Sequence, residues 1–327
     1  VKIHPVSEAS AHVRKYQHKN TMIAERIHSF GGPEVLQFEE VPRPTPRAEE
    51  VLVRICAAGV NPADWKLREG QLGQIPLPSI MGIDFSGVVE EVGPGVEQFH
   101  VGQEVFGSVA DESGSYAEYA LAPVSQVVEK PAALDHIQAA ALPIAALTAW
   151  QVLFDAASLE AGQRVLIHAA AGGVGSFAVQ FAKWKGAHVI GTASAQHAEF
   201  VRILGTDQVI DYKKAKFEEI VRDVDVVFDT IGGDTQERSW GVLKKRGILV
   251  SVIRPPSDQA AAAHNVRGVF IRCNHRRTDQ LKQIADLVAG GQIRVYVQTV
   301  LPLSEAPYAQ ELSQKGHTHG KIVLLVS

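Results

Sequence analysis

The sequence predicts an α/β protein built from a β-rich, irregular domain and a doubly wound parallel sheet. Three observations carry that expectation. Short apolar segments alternate with helix-prone ones from Arg164 to Ile253, the mark of parallel strands joined by right-handed crossovers. A glycine-rich turn, His168-Ala169-Ala170-Ala171-Gly172-Gly173-Val174-Gly175, links the first of those strands to its helix. Ahead of that block, from Ile23 to about Leu134, strand-like runs are broken by Gly and Pro. A chain of 327 residues corresponds to about two domains.

In order, residues 1–21 are polar, rich in His and Lys, and without periodicity; they read as an N-terminal extension, with Met22 a plausible start. Val51–Ile55 and Gly87–Val92 read as strands. Val41–Arg47 is proline-rich and cannot join a central ladder. Ile137 onwards is Ala-rich and helix-prone, interrupted by Pro143. The alternation follows: strand Arg164–His168, helix Ser176–Lys185 with Phe177 and Phe181 one turn apart and a stop at Gly186. Next come strand His188–Gly191, helix Ala198–Leu204, strand Gln208–Asp211 and helix Phe217–Arg222. Strand Val224–Asp229, helix Thr235–Lys245 and strand Ile248–Ile253 complete the regular part. A sixth strand is expected over Val266–Ile271, then a helix over Asp279–Ala289. The tail reads as strand Val295–Val300, a short helix near Ala306–Gln314 and a last strand, Ile322–Val326. Its texture matches the first domain. The expected division is therefore 22–135 plus 276–327 for the β-rich domain and 136–275 for the parallel-sheet domain.

Composition excludes several classes. Lys+Arg 32 against Asp+Glu 36 gives a net charge of −4, no broad basic footprint for nucleic acid or an anionic membrane. No apolar run reaches the length of a transmembrane helix. Two cysteines, Cys56 and Cys273, provide neither a disulfide framework nor a four-cysteine zinc lobe. A reducing, cytoplasmic setting is expected. Thirteen histidines include the pair His317 and His319, yet no set has a known metal-ligand spacing; surface imidazoles are the plain reading.

The glycine-rich turn fits G-x-G-x-x-G with Ala170, Gly172 and Gly175 at the glycine positions. Gly172 would let backbone approach a pyrophosphate and Gly175 would let helix pack on strand. With Ala171, Gly173 and Val174 they form a cradle at a helix N-terminus, where free N–H groups and the dipole favour phosphate. A ribose-binding carboxylate is expected about 20 residues on. That stretch reads Gly191-Thr192-Ala193-Ser194-Ala195-Gln196-His197, without one. Ser194, with Tyr212 and Lys213 or Lys214, offers donors to a 2′-phosphate. NADPH is expected over NADH.

The segments AAGVNPADWKLREG (57–70), GIDFSGVVEEVGPGV (82–96), GSYAEYALAP (114–123), AAALPIAALTAWQVL (139–153), RVLIHAAAGGVGSFAVQFAK (164–183) and GHTHGKIVLLV (316–326) resemble the medium-chain dehydrogenase/reductase superfamily. More narrowly, they resemble its zinc-independent quinone oxidoreductase and alkenal reductase branch. The resemblance implies a GroES-like catalytic domain around a Rossmann domain, an active site in the cleft between them, and a homodimer through the edge strand near Val266–Cys273. Positions that hold catalytic zinc in the zinc-dependent branch are Asn61, Asp84 and the region Ile144–Ala145; the proton-relay hydroxyl falls at Ala63. Zinc needs three Cys, His or carboxylate ligands, so zinc-assisted alcohol oxidation is not expected.

Hydride transfer without a Lewis acid favours electron-poor acceptors, quinones or the C=C bond of α,β-unsaturated carbonyls. Charge on the acceptor oxygen then needs only well-placed donors. The resemblance places Asn61 at the nicotinamide and Trp65 and Lys66 at the substrate entrance. Lys66 is either a proton donor or a surface lysine. Thr148 is expected at the nicotinamide ribose, Thr230 beyond the fourth parallel strand, Val252 at the carboxamide through its backbone, and Lys321 reaching in from the tail. Asp64 is expected to brace its own loop. A cofactor-binding sensor or structural protein with little turnover is the alternative reading; a nucleic-acid or membrane role is not expected.

Overall fold

The structure is a computed structural model that describes residues 20–316 and 318–326. Residues 1–19 of the expected extension and His317 lie outside the described residues. The first strand, β1 (Thr21–Ile27), takes in Thr21, which the sequence reading left in the extension.

The β-rich part follows. β2 (Leu36–Pro42) pairs with β1, which also carries the short β4 (Ser79–Ile80). β3 (Glu50–Val60) leads into helix α1 (Pro62–Arg68), started by Pro62. β5 (Asp84–Val92), β6 (Glu104–Ser108), β7 (Tyr119–Pro123) and β8 (Val127–Glu129) complete the antiparallel ladder. Alternate residues of β3, among them Val51, Val53 and Ile55, are buried against Phe85, Val89 and Val105. Helix α2 (His136–Ala140) is capped by Asp135, which accepts from Gln138 N at 2.7 Å. Helix α3 (Pro143–Trp150) follows, with Pro143 at its first turn; its chain continues to Ala156 as a wider π-helical turn.

The second part is a six-stranded parallel sheet. Its strands and helices run β9 (Arg164–Ile167), α4 (Gly173–Trp184), β10 (His188–Ala193), α5 (Ala198–Ile203), β11 (Gln208–Asp211), α6 (Phe217–Ile220), β12 (Val224–Asp229), α7 (Gly233–Ser239), β13 (Leu243–Ser251), α8 (Asp258–His264) and β14 (Arg267–Phe270). The strand order is β11-β10-β9-β12-β13-β14. Order reverses at β9, so a crevice opens at the carboxyl ends of β9 and β12, where α/β sheets bind ligands. The helix expected over Thr235–Lys245 is a correction. It ends at Ser239, and Leu243–Arg246 already belong to β13. Leu243 pairs with Val224, and the register then slips before Ile248 joins Val226. Arg246 at φ 66 absorbs the slip.

After β14 come α9 (Thr278–Ala289), β15 (Val297–Pro302), α10 (Ala306–Lys315) and β16 (Lys321–Leu325). β16 pairs with β3, and β15 with β16, so the tail strands join the antiparallel sheet. Helix α9 packs the other way: Leu281, Ile284 and Ala285 are buried with α3 and α4 in the core under the parallel sheet. The result is a GroES-like domain completed by the tail beside a Rossmann-like domain.

Candidate active site

β9 delivers its chain to the crevice through a tight turn. The left-handed residue of that turn is Ala169 at φ 48, one place before the Ala170 that the motif alignment set at the first glycine. Gly172 caps α4, and its N–H donates to Ala169 O at 3.0 Å. A Cβ on Gly175 would lie 2.2 Å from Ala169 O, so only glycine lets α4 pack this close to the turn. At Gly172 the nearest atom to a Cβ is 3.4 Å away. A side chain there would make only an ordinary contact, so the protein's own packing does not require a bare residue. The amides of Gly173, Val174 and Gly175 stand in the first turn, where helices lack internal partners.

The tail closes on this loop. Gly320 N donates to Ala171 O at 2.8 Å. Lys321 crosses Gly173, where a Cβ would meet its Cδ at 3.0 Å. Its Nζ then donates to Val60 O at 3.1 Å and to Asn61 Oδ1. Lys321 thus joins the glycine loop to Asn61, two features that the sequence placed in separate domains.

Asn61 sits on a buried polar cluster. Its Nδ2 donates to Asp84 Oδ2 at 2.8 Å, and Ile144 N donates to Asp84 Oδ1 at 3.2 Å. Asp64 Oδ2 accepts from Asn61 N at 2.7 Å and from the Tyr116 hydroxyl at 2.8 Å. Asp64 therefore braces the start of α1, as its place in the loop predicts. Burial pushes the Asp64 carboxyl up to about 7. It pushes Asp84 up to about 6, against the pull of Lys321 and the Asn61 hydrogen bond. Burial also holds the Lys321 ammonium below its ordinary value, opposed by Asp84 and Asp64. Asp84 and Tyr116 were not legible as members of a cluster, because Asp84 opens β5 while Tyr116 lies in the loop ahead of β7.

The remaining expected residues are more dispersed. Thr148 lies one turn along α3 from Ile144 and donates to Ile144 O at 2.6 Å. Thr230 follows β12 and donates to His168 O at 2.8 Å, inside the crevice. Val252 lies beyond β13, but its N–H is engaged by Asp229 O at 3.2 Å. Asp229 closes β12. It accepts from Ile231 N, Gly232 N, Gln236 Nε2 and Ser251 Oγ, and so shapes both loops at the sheet's end. Ser194 follows β10; its hydroxyl is buried without a partner. Tyr212 follows β11, half exposed, with its N–H on Ala193 O at 3.3 Å. Lys66 is on α1 with its Nζ 5.5 Å from the Trp65 ring.

This arrangement fits a dinucleotide. The bare backbone at Gly172, the helix amides of the first turn and a buried hydroxyl just beyond β10 fall where pyrophosphate and ribose bind in such sheets. The fold and site define an oxidoreductase that uses a nicotinamide dinucleotide.

Residues 47–132 match the family model of the alcohol dehydrogenase GroES-like domain, and 204–324 match that of zinc-binding dehydrogenases. The structure of the quinone oxidoreductase from Coxiella burnetii superposes with a TM-score of 0.89 at 36% identity, covering 94% of this chain and 100% of that one. Escherichia coli quinone oxidoreductase complexed with NADPH gives 0.86 at 31% identity, over 94% and 100%. The Mus musculus protein named "NAD(P)H oxidoreductase RTN4IP1, mitochondrial" is 34% identical over 92% of this chain and 88% of its own. The chain belongs to the medium-chain dehydrogenase/reductase superfamily, in its quinone oxidoreductase branch.

The second family description raises zinc, and the donor set does not fit it. Among the described residues no three His, Cys, Asp or Glu side chains converge. Asp84 is already held by N–H donors, and the Lys321 ammonium lies 3.9 Å from it. Among the described residues no helix is long and apolar enough to cross a membrane.

Proposed function

We propose that this protein is a zinc-independent, NADPH-dependent reductase of quinones and of the C=C bond of α,β-unsaturated carbonyls. We place it in the cytoplasm as a homodimer joined along β14, an edge of the parallel sheet. The observation that carries the reading is the Lys321 link: one side chain crosses the phosphate-binding turn and holds the amide of Asn61. The pocket residue and the cofactor loop thereby form one site, without a metal ligand set.

When bound, the reduced nicotinamide supplies a hydride, and the acceptor takes one proton to complete the two-electron reduction. The Gly172–Gly175 turn holds the pyrophosphate on the α4 amides. Ser194 and Tyr212 hold the 2′-phosphate, and Thr148, Thr230 and Val252 flank the nicotinamide half. Asn61 is locked by Asp84 and Lys321 in a single orientation, which costs no reorganisation when charge develops on the acceptor oxygen. Lys66, on the next turn of α1, donates the proton.

The test is NADPH oxidation against a naphthoquinone, a 2-alkenal, an enone and a simple ketone, with and without chelator and with NADH in parallel. Quinone or enone turnover indifferent to chelator is the expected result. Chelator-sensitive ketone reduction overturns the zinc-free reading. Tight NADPH binding without turnover overturns the assignment as an enzyme. Lys66→Met tests the donor: kcat is expected to fall by about 10²-fold, the contribution of one general acid, with little change in cofactor affinity.

A further inference from the structure

We propose that His168 is a positioning residue for the cofactor: through the Thr192 hydroxyl it holds the left-handed turn at Ala169 that shapes the pyrophosphate loop, a role that rests on the dinucleotide reading of the site.

Ala169 has φ 48, a region that an alanine enters only against strain. Two hydrogen bonds hold it there, one at each end of the residue. Its O accepts from Gly172 N at 3.0 Å, and its N–H donates to Thr192 Oγ1 at 3.2 Å. The first bond belongs to the turn itself. The second reaches across to a side chain of β10. Thr192 O also accepts from Ala170 N at 3.0 Å. Thr192 therefore fastens the start of the glycine loop by main chain and side chain together.

Thr192 is held in turn by His168. The imidazole Nδ1 lies 3.2 Å from Thr192 Oγ1, and Nε2 lies 2.9 Å from Ser239 Oγ in α7. The neighbours fix where the hydrogens lie. Ser239 Oγ donates to Thr235 O at 2.7 Å, and a carbonyl can only accept. Ser239 has spent its one hydrogen, so it accepts from His168 Nε2–H. Nδ1 then carries a lone pair and accepts from the Thr192 hydroxyl. With that hydrogen committed, Thr192 Oγ1 turns its lone pairs toward the Ala169 N–H. One chain runs from Ala169 N–H through Thr192, His168 and Ser239 to Thr235 O, each group donating to the next. The other tautomer would turn the Ser239 hydrogen away from Thr235 O and set Thr192 Oγ1 against two donors at once.

The surroundings keep the ring in the state that this chain needs. His168 is buried, and its edge meets the Phe217 ring at 4.7 Å. Burial holds its imidazole down to about 4, with Arg238 adding to that and Asp229 and Glu218 opposing it. A neutral ring can accept at Nδ1, whereas an imidazolium has two donors and no acceptor. His168 reaches the cofactor loop through Thr192, and Gly172 and the α4 amides follow directly on the turn that it sets.

Calorimetric titration with NADPH and with NADH, at a temperature where circular dichroism shows each variant folded, tests this. Thr192→Val should weaken both dinucleotides alike by about fivefold, the worth of one hydrogen bond, because both carry the pyrophosphate. Thr192→Ser should bind like the parent chain, since it keeps the hydroxyl. His168→Leu should show a similar loss, and the double variant His168→Leu/Thr192→Val no further one, because the two residues act in series. If His168→Leu does not fold, the Thr192 pair and the tautomer still decide. In 15N-histidine-labelled protein, the ring that shifts in Thr192→Val should carry its hydrogen on Nε2 and none on Nδ1. Parent affinity in Thr192→Val, a loss that Thr192→Ser does not rescue, a loss confined to NADPH, additive losses in the double variant, or a hydrogen on Nδ1 each overturns the proposal while leaving the dinucleotide reading intact. Binding of neither dinucleotide by the parent chain overturns both.

Discussion

The Lys321 ammonium and the Asp84 carboxylate lie 3.9 Å apart, both buried, with Asn61 hydrogen-bonded to each. Losing one partner of a buried ion pair costs about 3–5 kcal/mol, because the other charge is left uncompensated. Lys321→Met should therefore lower stability by about that much in urea unfolding above neutral pH. The double variant Lys321→Met/Asp84→Asn should recover most of the loss. No recovery would mean that the packing of the lysine stem, and not its charge, holds the two parts together.

The buried carboxyls also set a pH dependence. Asp64 is raised from 3.8 to about 7 and Asp84 from 3.8 to about 6, mainly by burial. The folded state keeps protons that the unfolded chain has released. Their contribution is complete below the unfolded value and is lost as pH rises through the folded values. Stability should fall between about pH 4 and about pH 7. Asp64→Asn should flatten that fall by on the order of 4 kcal/mol at most, measured as the urea midpoint across the range.

The glycine loop separates packing from binding. Gly175→Ala puts a Cβ 2.2 Å from Ala169 O and should cost about 1–3 kcal/mol by overpacking. Gly172→Ala has 3.4 Å of room, so thermal unfolding should shift little. Its cofactor affinity should still drop about tenfold or more, about 1.4 kcal/mol, read by quenching of protein fluorescence. Equal affinity in Gly172→Ala and the parent chain would remove the pyrophosphate from this turn.

Ser194 allows opposite signs in one variant. Its buried hydroxyl has no partner, and such a group costs about 1–3 kcal/mol. Ser194→Ala should leave the cofactor-free protein as stable or more stable, while weakening NADPH. Ser194→Asp supplies the carboxylate that favours a ribose 2′-hydroxyl and repels a 2′-phosphate. It should move the NADPH-to-NADH ratio of kcat/KM at least about tenfold toward NADH.

Much of the architecture was legible. Apolar strands and Gly-stopped helices from Arg164 to Ser251 announce the parallel sheet, because its central strands β9, β10 and β12 are buried on both faces. The turn at 168–175 was legible for the same reason that it works: glycine is tolerated between strand and helix only where backbone must come close. The misread stretch, Leu243–Arg246, carries Lys244, Lys245 and Arg246, residues that suit a helix surface. Pairing of Leu243 with Val224, and contact of Lys244 with Asp225, override that preference. No local window contains Val224 and Leu243 together.

The amino-acid sequence by itself determined the two-part α/β architecture, the glycine turn and the missing carboxylate after β10. These depend on periodicity and on residue types at short spacing, which a linear chain displays. Only the tertiary structure decided that Lys321 meets Asn61, separated by 260 positions, and that Asp84 and Asp64 share its burial. Those relationships arise when β16 pairs with β3 and carries the tail past the glycine loop. Charges brought together in that way, out of water, acquire properties that none of them has along the chain.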